Sequence, residues 1–231
     1  MNGRSCRAPA LALLAAASFG AAALAAASTV PASPETPNAT RDRSWHFEVR
    51  LDDRPIGEHR FVLSGLPAGG QQLRGEARFT VRLLGIPVYR YRHAVEEEWR
   101  GDCLRALQAE TDDNGRATEV RARRDGARWQ LQAPAGAGPW PDCLMSFAYW
   151  HPALPSQTRL LNPQTGRVEA VRVQRSGTGT IVARGRPVPA VRWQLQTAEQ
   201  AIDLWLAESD GDWVGLDSTL AGGRRLSYRL P

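Results

Sequence analysis

The sequence predicts an all-β domain: an antiparallel meander forming an open or closed barrel, with a short helix or irregular plug around residues 143–155. Two observations carry this. Apolar and polar residues alternate at period two in run after run, and Gly, Pro, Asn and Asp cluster between the runs at spacings of roughly ten residues, with almost no helical periodicity. The same strands could also stack as a sandwich or close only half-way. A third observation sets the plug apart: Cys143-Leu-Met-Ser-Phe-Ala-Tyr-Trp-His-Pro152 breaks the alternation and mixes a cysteine, aromatic rings and a histidine.

In chain order, Arg4 and Arg7 precede an unbroken apolar and small-residue run, 8–27, that closes in Ala25-Ala26-Ala27. A charged start, an apolar middle and a small-residue end make a secretory signal peptide, with cleavage expected near Ala27 and a periplasmic or secreted product. The competing reading is a membrane anchor, since the run approaches spanning length, but it is mostly weakly apolar Ala. Cys6 lies ahead of the run and is not placed for lipidation. Residues 28–43 carry three prolines and almost no large apolar side chain. Such a stretch buries too little to offset its ordering entropy and is expected to be a disordered linker. The remainder, residues 44–231, suits a single β-rich domain large enough for a sizeable core.

The formal net charge is +5, and every basic residue is Arg. Removing residues 1–27, with two Arg and no acid, leaves a small excess of 27 basic over 24 acidic residues. Arg can grip phosphate or carboxylate, so transient contact with a membrane surface is open, although charges spread over solvent faces explain the composition as well. No concentrated basic patch indicates nucleic acid. Cys103 and Cys143 alone remain after processing. An even pair in an oxidising compartment argues for a disulfide; buried free thiols are the alternative, and metal ligation lacks a neighbouring His or Cys at ligand spacing.

Residues 45–51 alternate as a strand, Asp52-Asp-Arg-Pro-Ile-Gly57 reads as a turn, and 58–63 return as the second strand of a hairpin. Residues 77–83 and 88–95 follow, broken by Gly85 and Pro87. Tyr89, Tyr91, His93 and Val95 share one face there, opposite Arg90 and Arg92. Residues 103–111 lead into Asp112-Asp-Asn-Gly115, whose Asn-Gly accepts the positive φ angles of a type I′ turn. Residues 120–124 and 129–133 continue the meander around Asp125-Gly126. The Pro- and Gly-rich stretch 134–142 cannot be regular structure. After the plug, Asn162-Pro-Gln-Thr-Gly166 turns between 160–161 and 167–173. Strands are then expected at 180–183, 188–197, 201–208, 213–218 and 224–230, with turns at Gly177, Gly185, Asp210-Gly211 and Gly222-Gly223.

No catalytic spacing emerges. His46 and His59 fall on polar faces of their strands, and His93 shares the Tyr89/Tyr91 face. In Glu96-Glu-Glu98 successive side chains point to opposite faces, so the run reads as an exposed edge more than a paired-carboxylate site. Asp112-Asp-Asn-Gly115 lacks the later bidentate Glu of a calcium loop, and Ser146 lacks a nucleophile elbow. No cofactor motif and no metal site are present. The candidate ligand-binding residues are Tyr149, Trp150 and His151 with Trp99, Tyr89 and Tyr91, which could line an apolar pocket at a barrel mouth.

Several stretches together resemble an uncharacterised family of exported bacterial proteins, domain-of-unknown-function family 6134. They are Phe47-Glu-Val-Arg-Leu-Asp-Asp-Arg-Pro-Ile-Gly-Glu-His-Arg-Phe61, Glu98-Trp99 with Cys103-Leu104, Thr111-Asp-Asp-Asn-Gly115, Cys143 with Phe147-Ala-Tyr-Trp150, and Leu160-Leu-Asn-Pro-Gln-Thr-Gly166. The resemblance spans about 45–231 and implies no catalytic residue. The opening hairpin and Trp213-Val-Gly-Leu with Leu226-Ser-Tyr-Arg-Leu230 are more weakly similar to periplasmic lipoprotein carriers with an open barrel, a likeness of fold that does not fix function. The expected function is non-enzymatic binding of a lipid or apolar small molecule in the periplasm. The alternatives are an enzyme of envelope lipid or glycan using His151, Tyr149 or Glu98, and a protein-interaction module presenting a sheet edge.

Overall fold

The computed structural model describes residues 42–134 and 140–231. The expected signal peptide, the linker up to residue 41 and residues 135–139 lie outside them. Seven strands run as a meander before the plug: Arg43–Leu51 (β1), Arg54–Gly65 (β2), Gln71–Leu83 (β3), Ile86–Arg100 (β4), Cys103–Asp113 (β5), Arg116–Asp125 (β6) and Arg128–Gln132 (β7). Arg159–Leu161 (β8) and Val168–Ala170 (β9) form a separate two-stranded hairpin around the 162–166 turn. Arg172–Ala183 (β10), Arg186–Gln196 (β11), Ala201–Ala207 (β12), Trp213–Thr219 (β13) and Arg225–Arg229 (β14) make a second meander.

Pairing of β1 with β14 joins the two meanders into one antiparallel twelve-stranded sheet, in the order β10-β11-β12-β13-β14-β1-β2-β3-β4-β5-β6-β7. The sheet is barrel-like but not closed. Its edge strands β7 and β10 do not pair, and the chain that connects them supplies the plug. Inward positions at period two build the core: Trp45, Phe47 and Val49 of β1, Leu195 of β11, Leu204 of β12 and Trp213 of β13 are all buried. From the plug, Leu144, Met145, Leu154, Leu160 and Leu161 fill the concave side. The plug contains no α-helix. Its one helical piece is the 3₁₀ turn Leu154–Ser156, and Ser146 makes an isolated bridge to Leu161.

Two local expectations are corrected. The first hairpin turns on Asp52 and Asp53 alone, both at positive φ, and Pro55 and Gly57 belong to β2. Gly57 has φ 153° at a register shift, and a Cβ there would lie 1.9 Å from the Arg78 carbonyl oxygen. Glycine serves close strand approach at this position. Likewise Gly177 interrupts no strand: it sits at a bulge inside β10, where Arg175 pairs with Trp193 and Gly177 with Arg192.

Candidate functional site

The concave face and the plug enclose a cavity of about 190 Å³. Strand β2 contributes His59 and Phe61, β4 contributes Tyr91, His93 and Glu97, the plug contributes Phe147, Tyr149 and Trp150, and Trp213 and Tyr228 complete the aromatic wall. The β4 residues converge because positions 91, 93, 95 and 97 share one face of a single strand. Trp213 is the hub, with ring centroids 5.1 Å from Phe61 and 5.4 Å from Tyr149.

The lining carries almost no charge. The His59 ring stacks on Phe61 at 4.0 Å, its Nδ1 lies 3.4 Å from the Tyr228 hydroxyl, and its Nε2 has no partner. His93 Nδ1 lies 2.8 Å from Thr111 Oγ1 across the β4–β5 ladder. Burial pushes His59 down to about 3, with a further push from His93, and takes His93 down to about 4. Both rings are therefore neutral at physiological pH. The hydroxyls of Tyr91, Tyr149 and Tyr228 are driven well above the usual phenol range, also by burial.

Glu97, 3% exposed, is the one carboxyl in the wall. Its Oε2 accepts a hydrogen bond from the Trp99 indole N–H at 3.0 Å. Burial raises it to about 7, while Ser146 and Trp99 beside it favour the ionised form. The Trp150 indole nitrogen is buried without a partner. Among the described residues no group of three or more His, Cys, Asp or Glu side chains could share a metal ion.

Of the residues singled out from sequence, Tyr91, Tyr149 and Trp150 meet at the cavity. Tyr89 lies further out along β4, where burial and Asp113 raise its hydroxyl to about 12. Trp99 and His151 stand behind the wall, stacked at 5.4 Å, with Trp99 edge-on to Trp150 at 5.6 Å. His151 accepts a hydrogen bond at Nδ1 from the Ala153 N–H at 3.1 Å, and its Nε2 lies 3.7 Å from Asp102 Oδ1. Burial holds this imidazole below its ordinary value, with Asp102 and the Gly101 backbone opposing. Close by, Cys103 and Cys143 are joined in a disulfide, and Leu104 N–H donates to the Leu144 carbonyl at 2.9 Å. These contacts bracket the plug against the β4–β5 turn.

His59, placed on a polar face by sequence, faces the cavity instead. The run Phe61-Val62-Leu63 is apolar on both parities, so alternation alone does not choose its inner face; pairing with β1 does, burying Phe61 and Leu63 and carrying His59 in with them. The acidic run is likewise split, with Glu97 inside and Glu96 and Glu98 opening on an outer-face groove. His151, Tyr149 and Glu98 therefore do not converge on one point. The free edge β10 carries Arg172, Arg175 and a bulge, features that discourage strand addition.

The chain belongs to the family described as domain of unknown function (DUF6134), whose profile matches residues 47–231. The fold is similar to the crystal structure of a β-barrel-like protein of domain of unknown function DUF1849 from Brucella abortus. The TM-score is 0.54 at 12% identity, covering 81% of this chain and 94% of that one. No curated protein matches.

Proposed function

We propose that this DUF6134 protein is exported to the periplasm and binds a small, predominantly apolar, uncharged ligand in the cavity beneath its plug. The carrying observation is the cavity itself: about 190 Å³, walled by aromatic rings, with neutral histidines and no arginine among its lining residues. A dry apolar cavity of about 150 Å³ holds a benzene ring. The space thus suits one ring or a short stretch of aliphatic chain, and a larger lipid would have to leave most of its length outside. The unpartnered nitrogens of His59 and Trp150 favour a ligand with a single oxygen-bearing group.

The test is thermal stability of the purified protein with a graded series of neutral aromatics and n-alkanols. Ligands that fit raise the Tm in proportion to the logarithm of concentration, with a cut-off in chain length set by the cavity. Ile202→Phe, which adds volume at the cavity wall, abolishes the shift while preserving the fold. A series in which no compound moves the Tm of the parent protein refutes the reading.

A further inference from the structure

The β3–β4 hairpin outruns the sheet. β2 pairs with β3 only from Gly65 as far as Gly57, opposite Phe79, and β5 pairs with β4 only from Tyr91 inward. Residues 80–90 are therefore a two-stranded finger with no flanking strand. Its tip is apolar and open to solvent: Leu84 is 95% exposed, Ile86 66%, Leu83 63% and Val88 51%. Leu84 and Gly85 take φ of 49° and 83°, the two central positions of a tight hairpin turn. Such turns favour Asn-Gly, and a leucine in this conformation is disfavoured. Local turn chemistry does not account for Leu84.

Below the tip the finger has two unlike faces. On one, Phe79 stacks on Tyr91 at 5.2 Å and Val81 stands opposite Tyr89. On the other, Arg78 stands directly opposite Arg92, and Arg90 opposite Thr80, with Arg82 next. Like charges directly opposite weaken a ladder. No acidic residue occurs between positions 77 and 95. At the base, Glu76 pairs with Arg78, and Asp112 stands across from Arg92. Among the described residues no acidic side chain pairs with Arg82 or Arg90.

An exposed apolar tip, a tyrosine on one flank and uncompensated guanidinium groups on the other match the layers of a bilayer surface. Aliphatic groups enter the acyl boundary, amphipathic rings sit among the headgroups, and arginines meet anionic phosphates. We propose that residues 80–90 dock this protein on an anionic lipid bilayer, with Leu83, Leu84 and Ile86 inserted and Arg82 and Arg90 at the headgroups. Tyr91, at the finger's base, is also a wall of the cavity, so docking brings the ligand site to the membrane surface. The docking itself does not depend on the cavity being a ligand site.

The experiment is flotation of the purified protein with vesicles of phosphatidylglycerol and phosphatidylcholine in equal parts, beside vesicles of phosphatidylcholine alone. The parent protein floats with the anionic vesicles. Leu84→Asn combined with Ile86→Thr lowers the partition coefficient about tenfold or more. Asn suits the turn, so the Tm of that variant does not fall and misfolding is separated from lost insertion. Arg82→Gln and Arg90→Gln each lower binding to anionic vesicles about fivefold and leave binding to neutral vesicles unchanged. Absence of parent binding to anionic vesicles, equal binding by the tip variant, or equal binding to both vesicle types overturns the proposal.

Discussion

Two clusters of histidine and aromatic side chains flank Trp150, built from the same chemistry and bonded to different degrees. In the bracket, His151 packs on Trp99, its Nδ1 accepts a hydrogen bond from the Ala153 N–H while its Nε2 stands 3.7 Å from the Asp102 carboxylate, and the Cys103–Cys143 disulfide closes the chain beside it. In the cavity, His59 keeps only a long contact to Tyr228 and leaves Nε2 unpaired, while the Glu97 carboxyl is buried without a basic partner among the described residues. Satisfied polar groups fix structure; buried groups short of partners are retained at a cost that a structural role does not repay. The bracket holds the plug in place, and the cavity, with its unpartnered nitrogens, is the site of the proposed ligand.

The largest expected effect tests the bracket. Cys103→Ser with Cys143→Ser opens a link spanning a sequence separation of 40. Stability falls by about 4 kcal/mol on the chain-entropy account, measured as the shift in the urea midpoint of the two-state transition. Ligand affinity, read from the neutral aromatic series, changes little in molecules that remain folded. A stability loss below about 1 kcal/mol would mean that the Leu104–Leu144 backbone bond and His151 hold the plug unaided.

The second effect tests the cavity through pH. Between its ordinary value of 4.5 and about 7, Glu97 keeps in the folded state a proton that the unfolded chain has released. The Glu97 contribution to stability therefore declines as pH rises through that window, by about 3 kcal/mol in all. The histidines act in the other sense. The unfolded chain takes up protons at about 6.5, whereas folded His59 and His93 resist protonation down to about 3 and 4. Stability accordingly falls as pH drops below 6.5. Two histidines outweigh one carboxyl, so the Tm is expected to rise with pH and level off near pH 7. Glu97→Gln steepens that rise, since Gln has no proton to release and can still accept from Trp99, and makes the variant more stable than the parent at about pH 8. An unchanged profile would show that Glu97 is ionised throughout.

Much of this architecture was legible in the sequence, because half-buried antiparallel strands write their inner face at every second position. The face from Tyr89 through His93 to Val95 was read in that way, and extending the same parity two residues reaches Glu97. The eye is drawn off by Glu96 and Glu98, which make an inward carboxyl look like part of a solvated run. Tyr228 was visible as an alternating residue between Leu226 and Leu230, but its place at the cavity depends on β14 pairing with β1. That contact spans almost the whole domain, and nothing local encodes it. The hairpin tip was illegible for a related reason. Leu83-Leu84-Gly-Ile86 reads as core until the register reveals that neither neighbouring strand extends that far.

The smallest expected effect compares two indoles within a single contact. Trp99 and Trp150 meet edge to face at 5.6 Å, yet the Trp99 N–H donates to Glu97 and the Trp150 N–H is buried with no partner. Trp99→Phe removes packed volume and also strips Glu97 of its donor, a combined loss of about 2–4 kcal/mol. Trp150→Phe removes similar volume but also eliminates an unsatisfied donor, whose burial costs about 1–3 kcal/mol. The two terms offset, and the stability change falls to about 1 kcal/mol or less, measured by urea unfolding of both variants at the same pH. The same substitution weakens binding of oxygen-bearing ligands more than binding of pure hydrocarbons, because only the former use the N–H. Equal destabilisation by the two substitutions would mean that the Trp150 nitrogen is already bonded in solution, and the polar side of the cavity would then be complete without a ligand.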